Sequence, residues 1–329
     1  MFPDVPEFKF IDSLLKNAAD FKHEAPQHRG WLGVGDDCAM FDGWLVTKDL
    51  SVEGTHFRLD WSTPEQAVEK HIVSNVSDIN SMGGTPRLAI LGLCINKNWS
   101  EETRTRVQKA LSQGFAKRGI ALIDGDTVVG DEGLFSTTLL GTLAGERPLL
   151  RSAVKPGDSL YVNGTLGKSG AGLWLLMNHP EAKDEFPTLV EYHLAPKICE
   201  SAGAELLRLG AYGACMDISD GLSSELNHLA FSSGVNLQID EAKLPIDPEV
   251  VRLCEKYGQN PLNFALNGGE EYELLFANSS PKSIFMKNTQ LGEVCEIGFA
   301  VEKSAGDPVN MLCKNGEILP VQPRAWSHL

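Results

Sequence analysis

The chain of 329 residues lacks a basic surface: 44 Asp and Glu stand against 29 Lys and Arg, for a formal net charge of -15. Nucleic-acid binders normally carry a positive face, so this balance argues against that class of partner. No apolar run approaches the roughly 20 residues of a membrane span. The opening MFPDVPEFKF has neither a basic nor an apolar signal region, which leads us to expect a cytoplasmic protein. Paired cysteines are lacking as well. Cys38, Cys94, Cys199, Cys215, Cys254, Cys295 and Cys313 include no CxxC, and their number is odd. That argues against a zinc ribbon or a disulfide framework and leads us to expect free, mostly buried thiols. Neither GxxxxGK[ST] nor a kinase-type catalytic loop occurs.

What is present reads as a globular chain long enough for two domains, with 42% hydrophobic and 22% charged residues. Apolar spacing predicts a helix over 7–20. A strand follows at 44–50. A helix then opens at Thr63-Pro64, with proline at its first position, and stops at Gly83-Gly84. Strands are expected at 88–95, at 120–123 leading into a Gly- and Asp-rich loop, and at 134–143, with a helix from Ser100 to near Gly119. The polar, Pro/Gly-punctuated stretch 146–158 suggests a junction, dividing the chain into 1–148 and 149–329. Beyond it, strands are expected at 159–163, 215–218, 235–239, 272–277 and 294–299, and helices at 170–177, 199–209 and 223–231. The class is α/β or α+β, with mixed sheets flanked by helices.

The chemistry lies in where the aspartates fall. Asp36 and Asp37 precede a strand and Asp49 ends one. Asp78 lies in the last turns of a helix, Asp126 directly after a strand, and Asp217 and Asp220 where a strand meets a helix. Any one of them is an ordinary turn or N-cap residue. Together, if they converge, their repulsion requires cations. Carboxylates without His or Cys partners favour hard, oxygen-loving ions such as magnesium, whose shell is often completed by substrate phosphates. That points to a nucleoside triphosphate. The Gly-rich turn Gly164–Gly172 is either an anion-binding helix start or a packed turn.

The motifs GDDCAMF, TKDLSVEGTHF, NVSDINSMGGTP, GDT, RSAVKPGD, DISDGLSSEL and GGEEYELLF resemble the thiamine-monophosphate kinase family in order and spacing, from about Gly33 to Trp326. The resemblance implies a two-domain aminoimidazole-ribonucleotide-synthetase-like fold that dimerises through its N-terminal domain. It implies phosphorylation of thiamine monophosphate by ATP with several Mg2+ ions and no covalent phosphoenzyme. Carried over by motif, Asp37, Thr47, Asp49, Asp78, Asp126, Asp217 and Asp220 would hold metal, and transfer would depend most on Asp78, Asp126 and Asp220. Gly125, Asp126, Arg151 and Ser219 would contact ATP, with Arg151 as a phosphate clamp. His56, Glu270 and Trp326 would contact the acceptor.

The chain departs from the family pattern at Lys48, which stands where a hydroxyl metal ligand is usual, and at Asp124, Val129, Arg118, Lys197 and Glu271. Lys48 either substitutes for one cation or points away. Two other readings compete. One is a related ATP-dependent enzyme acting on another small acceptor. A selenophosphate synthetase would be expected to have a reactive residue near its N-terminus, and a hydrogenase-maturation relative would be expected to end in cysteine. The other is a degenerate binder without turnover, against which stands the survival of all the main carboxylates.

Overall fold

The computed structural model describes residues 10, 13–14, 32–286 and 288–324. Of the helix expected over 7–20, Phe10, Ser13 and Leu14 are helical, and the rest lies outside the described residues.

The first sheet contains β1 (Ala39–Phe41), β2 (Trp44–Val52), β3 (Gly84–Asn96), β4 (Ala121–Gly130) and β5 (Leu134–Leu143), in the order β1-β2-β5-β3-β4. β3 and β4 run parallel, and the other neighbours are antiparallel. One face is covered by α1 (Pro64–Ser81), against which α2 (Glu101–Ala116) packs. Thr63 caps α1 through a reciprocal capping box with Gln66. Val68, Ile72, Val76 and Ile79 of α1 are buried in one core with Leu45, Ala89, Phe135 and Leu139 of the sheet. The opposite face has no such cover among the described residues, and Lys48, Leu50 and Ile90 are exposed on it.

The second sheet contains β6 (Ser159–Asn163), β7 (Ala214–Asp217), β8 (Asn236–Asp240), β9 (Leu274–Asn278), β10 (Val294–Val301), β11 (Val309–Leu312) and β12 (Ile318–Pro320), in the order β12-β11-β8-β10-β6-β9-β7. Its helices are α3 (Lys168–Asn178), α4 (Pro187–Leu194), α5 (Ala202–Arg208), α6 (Leu222–Ser233), α7 (Pro248–Tyr257), α8 (Pro261–Asn267) and the four-residue α9 (Ser283–Met286). The β6, β7 and β9 part of this sheet is buried on both sides, and period-two alternation sends successive side chains to opposite faces. Leu160, Val162, Met216 and Leu275 face one core, and Tyr161, Cys215 and Phe276 face another.

Four sequence expectations change. The short strand and loop expected after residue 120 are one strand, β4, because the long β3 pairs with it as far as Gly130. Gly125 allows close strand approach there rather than a turn: a Cβ on it would sit 2.3 Å from the Leu91 carbonyl oxygen. The strand expected from residue 272 starts at Leu274, because Glu270 and Tyr272 take positive φ angles of 61° and 55°, which no strand accommodates. α4, α7 and α8 were not anticipated, although each opens with proline. All seven cysteines are free thiols. Only Cys38, Cys215 and Cys254 are buried and the other four are half-buried, which corrects the expectation of mostly buried thiols.

Candidate functional site

The two domains meet along α1. Asn80 accepts from the Gly203 amide at 2.9 Å and donates to the Cys199 carbonyl at 3.0 Å. Gly203 permits this approach, since a Cβ there would lie 1.7 Å from the main-chain carbonyl oxygen of Asn80. A cavity of about 880 Å³ opens beside this seam. One helical stripe, Ala67, Lys70, Ser74 and Asp78, forms its floor at spacings of three and four.

One end of the cavity is acidic, lined by Asp49, Asp78, Asp217, Asp220 and Ser219. Thr47 and Asp49 reach this end because alternation along β2 turns both towards α1. Hydroxyls hold the carboxylates apart: Thr47 donates to Asp78 at 2.5 Å and Ser77 to Asp217 at 2.5 Å. Ser74 bonds Asp49, and Ser81 donates to Asp37. Arg151 donates from Nε to Asp37 at 2.8 Å and again from Nη2, while its amide donates to Asp36 at 3.2 Å. The buried Glu225 accepts from the Ser219 and Asp220 amides at 3.1 and 2.8 Å, which fixes the turn carrying both residues.

Burial, followed by the charge of Asp37, pushes Asp36 up to about 7 and Asp217 up to about 8. Asp78 lies well above the carboxylate range through burial and then the charges of Asp49 and Asp217, and burial raises Asp49. Among the described residues no three such side chains converge on one ion-sized point. The donor set still fits a hard cation: carboxylates and hydroxyls that are buried, close enough to repel and short of positive charge.

These shifts give a pH dependence. Buried His71 and His228 titrate near 3 instead of 6.5, chiefly through burial, so their contribution to stability rises with pH up to about 6.5. The raised carboxylates act in the opposite sense. Asp36 and Asp217 hold protons in the fold that the unfolded chain has already released, and that stability is lost as pH rises through 7–8. Above about pH 6.5 the histidine contribution is complete and only the carboxylate loss remains, so the melting temperature in chelator should fall as pH rises from about 6.5 to about 8.5. A melting temperature still rising across pH 7–8 would contradict these environments.

The other end of the cavity is largely apolar, with Phe57, Leu173, Trp174, Met177 and Phe264. His56 and Glu270 lie on this cavity too. Of the residues singled out in the sequence, Asp49, Asp78, Asp217, Asp220, Ser219, His56 and Glu270 thus share one cavity, with Asp37, Thr47 and Arg151 adjoining. Gly125 and Asp126 do not join them within one chain. Register places Asp126 beside Gly92, Ser136 and Leu50, on the face of the first sheet away from α1, and it is exposed. Lys48 is on that same face, donating to Ser136 at 2.7 Å, so it points away from Asp49. Arg118 pairs with Glu69 and Glu200 at 2.8 and 2.5 Å. Trp326 lies outside the described residues, two positions beyond Arg324, which lines the cavity. The Gly-rich turn is packed: the Ser169 amide at the start of α3 donates to Glu271 at 2.9 Å. Sequence reasoning missed Lys70, Tyr272 and the aromatic wall.

Both halves match models of the AIR synthase related proteins, the N-terminal domain over residues 35–143 and the C-terminal domain over residues 155–306. In both of its domains the chain is thus an AIR synthase related protein. Thiamine-monophosphate kinase of Aquifex aeolicus (strain VF5) is 33% identical over 99% of this chain and 98% of its own length. That of Bacillus subtilis (strain 168) is 32% identical over 83% of this chain and 86% of its own. The solved structure of AaThiL complexed with AMPPCP and TMP matches at TM-score 0.82 and 33% identity, covering 98% of this chain and 97% of that one. The chain belongs to the thiamine-monophosphate kinase family.

Proposed function

We propose that this protein transfers the terminal phosphate of ATP directly to thiamine monophosphate, giving thiamine diphosphate. The observation that carries the reading is a single cavity with carboxylates at one end and aromatic side chains at the other. It suits an acceptor with a phosphate at one end and two rings at the other. The relative complexed with AMPPCP and TMP supports the same pair of ligands.

Asp37, Thr47, Asp49, Asp78, Asp217 and Asp220 would hold magnesium, which when bound neutralises phosphate charge and aligns donor and acceptor. The chain's own residues supply the rest. Asp49 lies within β2, Asp78 in the last turn of α1, Asp217 at the end of β7 and Asp220 on the turn beyond, so the geometry is set before ligand arrives. The apolar wall excludes water from the acceptor. Ser219 and Arg151 would meet the nucleotide, and His56, Glu270 and Trp326 the acceptor. No covalent intermediate is needed, because the acceptor phosphate is itself the nucleophile.

We place the domain junction at 148/149, and we assign the chain to a homodimer through β4. That edge strand exposes Leu122, Ile123, Val128 and Val129 at 50, 54, 54 and 67%, an apolar edge with no neighbouring strand among the described residues, which proteins seldom leave open. Pairing there would bring the Gly125 and Asp126 of a second copy towards its partner. Free thiols, and the absence of any membrane-crossing helix among the described residues, suit a cytoplasmic enzyme.

The test is incubation with ATP, magnesium and thiamine monophosphate, with and without chelator, alongside sedimentation of the same preparation. Magnesium-dependent thiamine diphosphate from a dimer is expected. ATP binding without product would sink the activity, and a monomer at micromolar concentration would sink the β4 assignment.

A further inference from the structure

Lys70 is buried where a lysine seldom is. Its side chain is 7% exposed, it lines the cavity, and its ammonium donates to Glu270 Oε2 at 2.6 Å and to the His56 carbonyl at 3.3 Å. Those bonds use two of its three donors. Both partners belong to the end of the cavity assigned to the acceptor. Glu270, which bonds Lys70, takes a left-handed backbone conformation, φ 61°, which an L-residue adopts at a cost. Along α1, Lys70 stands eight residues before Asp78, about 12 Å away at 1.5 Å per residue. The charge pair therefore sits near the rings of an acceptor whose phosphate lies among the aspartates.

The pair offers one pattern to a ligand edge: a carboxylate oxygen, which accepts, beside an ammonium, which donates. A 4-aminopyrimidine presents the complement, an amino donor next to an unprotonated ring nitrogen. A 4-oxopyrimidine presents the reverse, a carbonyl next to a ring N–H. We infer that Lys70 and Glu270 together read the aminopyrimidine edge of the acceptor, making Lys70 a specificity-determining residue that selects the 4-amino ring over its 4-oxo counterpart. This rests on the acceptor proposed above. His193 approaches the same Glu270 oxygen at 3.6 Å, but burial and then the charge of Lys70 hold its pKa well below the ordinary value, so it stays neutral. Lys70 alone of these two supplies the cation.

A site built to pair with a polar edge discriminates strongly, because the wrong ligand leaves buried groups unsatisfied. The experiment compares kcat/KM for thiamine monophosphate and for its 4-oxo analogue, oxythiamine monophosphate, in wild type and in Lys70→Met. Wild type should prefer the amino acceptor by at least about 100-fold. In Lys70→Met the preference should drop below about tenfold, with the KM for ATP little changed. A merely structural role would lower activity on both acceptors alike and leave their ratio intact, and that result overturns the inference. Glu270→Gln is the second variant. Its amide can donate to the 4-oxo group, so the preference should move towards the analogue, and an unmoved preference again overturns the inference. Titration of both acceptors without ATP separates the two readings. If wild type turns over neither, the kinase reading fails. The ratio of binding constants then decides the role of Lys70: a wild-type preference lost in Lys70→Met supports it, and equal affinities in wild type overturn it.

Discussion

Asp78→Asn should lower kcat by about 10³-fold or more without lowering the melting temperature of the metal-free protein. Asp78 is buried among Asp49, Asp217 and Asp37, and its carboxyl is held well above the usual range by burial and then by the first two of those charges. Folding therefore works against its ionisation. Asparagine keeps an oxygen to accept from Thr47 and removes a charge that the fold resists. The charge matters only once a cation arrives. Two measurements follow: single-turnover transfer, and melting with and without magnesium. The variant should melt no lower than wild type in chelator and gain less from added magnesium. Near-normal turnover would remove Asp78 from the site. A much lower melting temperature in chelator would show that the carboxylate stabilises the fold instead.

Arg151→Met should act in the opposite sense, destabilising the fold by about 3 kcal/mol, or roughly 5 °C in melting temperature. The guanidinium is 23% exposed, and its partner Asp37 is fully buried. Removing it leaves Asp37 and Asp36 adjacent with the compensating charge gone, and breaking a buried pair costs more than the pair is worth intact. The figure sits at the low end of that range because of the exposure. Nucleotide affinity should fall as well. A variant that melts within about 1 °C of wild type would show that the Arg151–Asp37 pair does not stabilise the fold.

Most of the acidic end was legible in the sequence because Asp78, Asp217 and Asp220 sit at element ends, where Gly and apolar neighbours mark the boundary. Asp78 closes a helix, and Asp217 and Asp220 bracket a strand-to-helix turn, whereas Asp49 lies inside β2, which runs on to Val52. Lys70 was not legible. A lysine on an amphipathic helix reads as solvent-facing, and its partner Glu270 is 200 residues away. The β4 segment misled for a related reason. Gly and Asp are turn residues by local preference, yet IDGDT is strand because β3 pairs along its whole length. Local chemistry marks element ends well, but it carries no information on which distant strand will claim a segment. The positive φ at Glu270 and Tyr272 was equally hidden, since neither is a residue type that favours it.

The docking of α1 bears on the history of the gene. The helix belongs by sequence to the N-terminal half, but its Ser77 is bonded to Asp217, its Asn80 to Gly203 and its Lys70 to Glu270, all in the other half. A chain cut between the halves would leave each fragment with polar groups that only the other satisfies. Splitting this gene in two, or replacing one half with that of a distant relative, would therefore succeed only if both sides of α1 were exchanged together. The halves are expected to be inherited as one unit even where family models describe them as two.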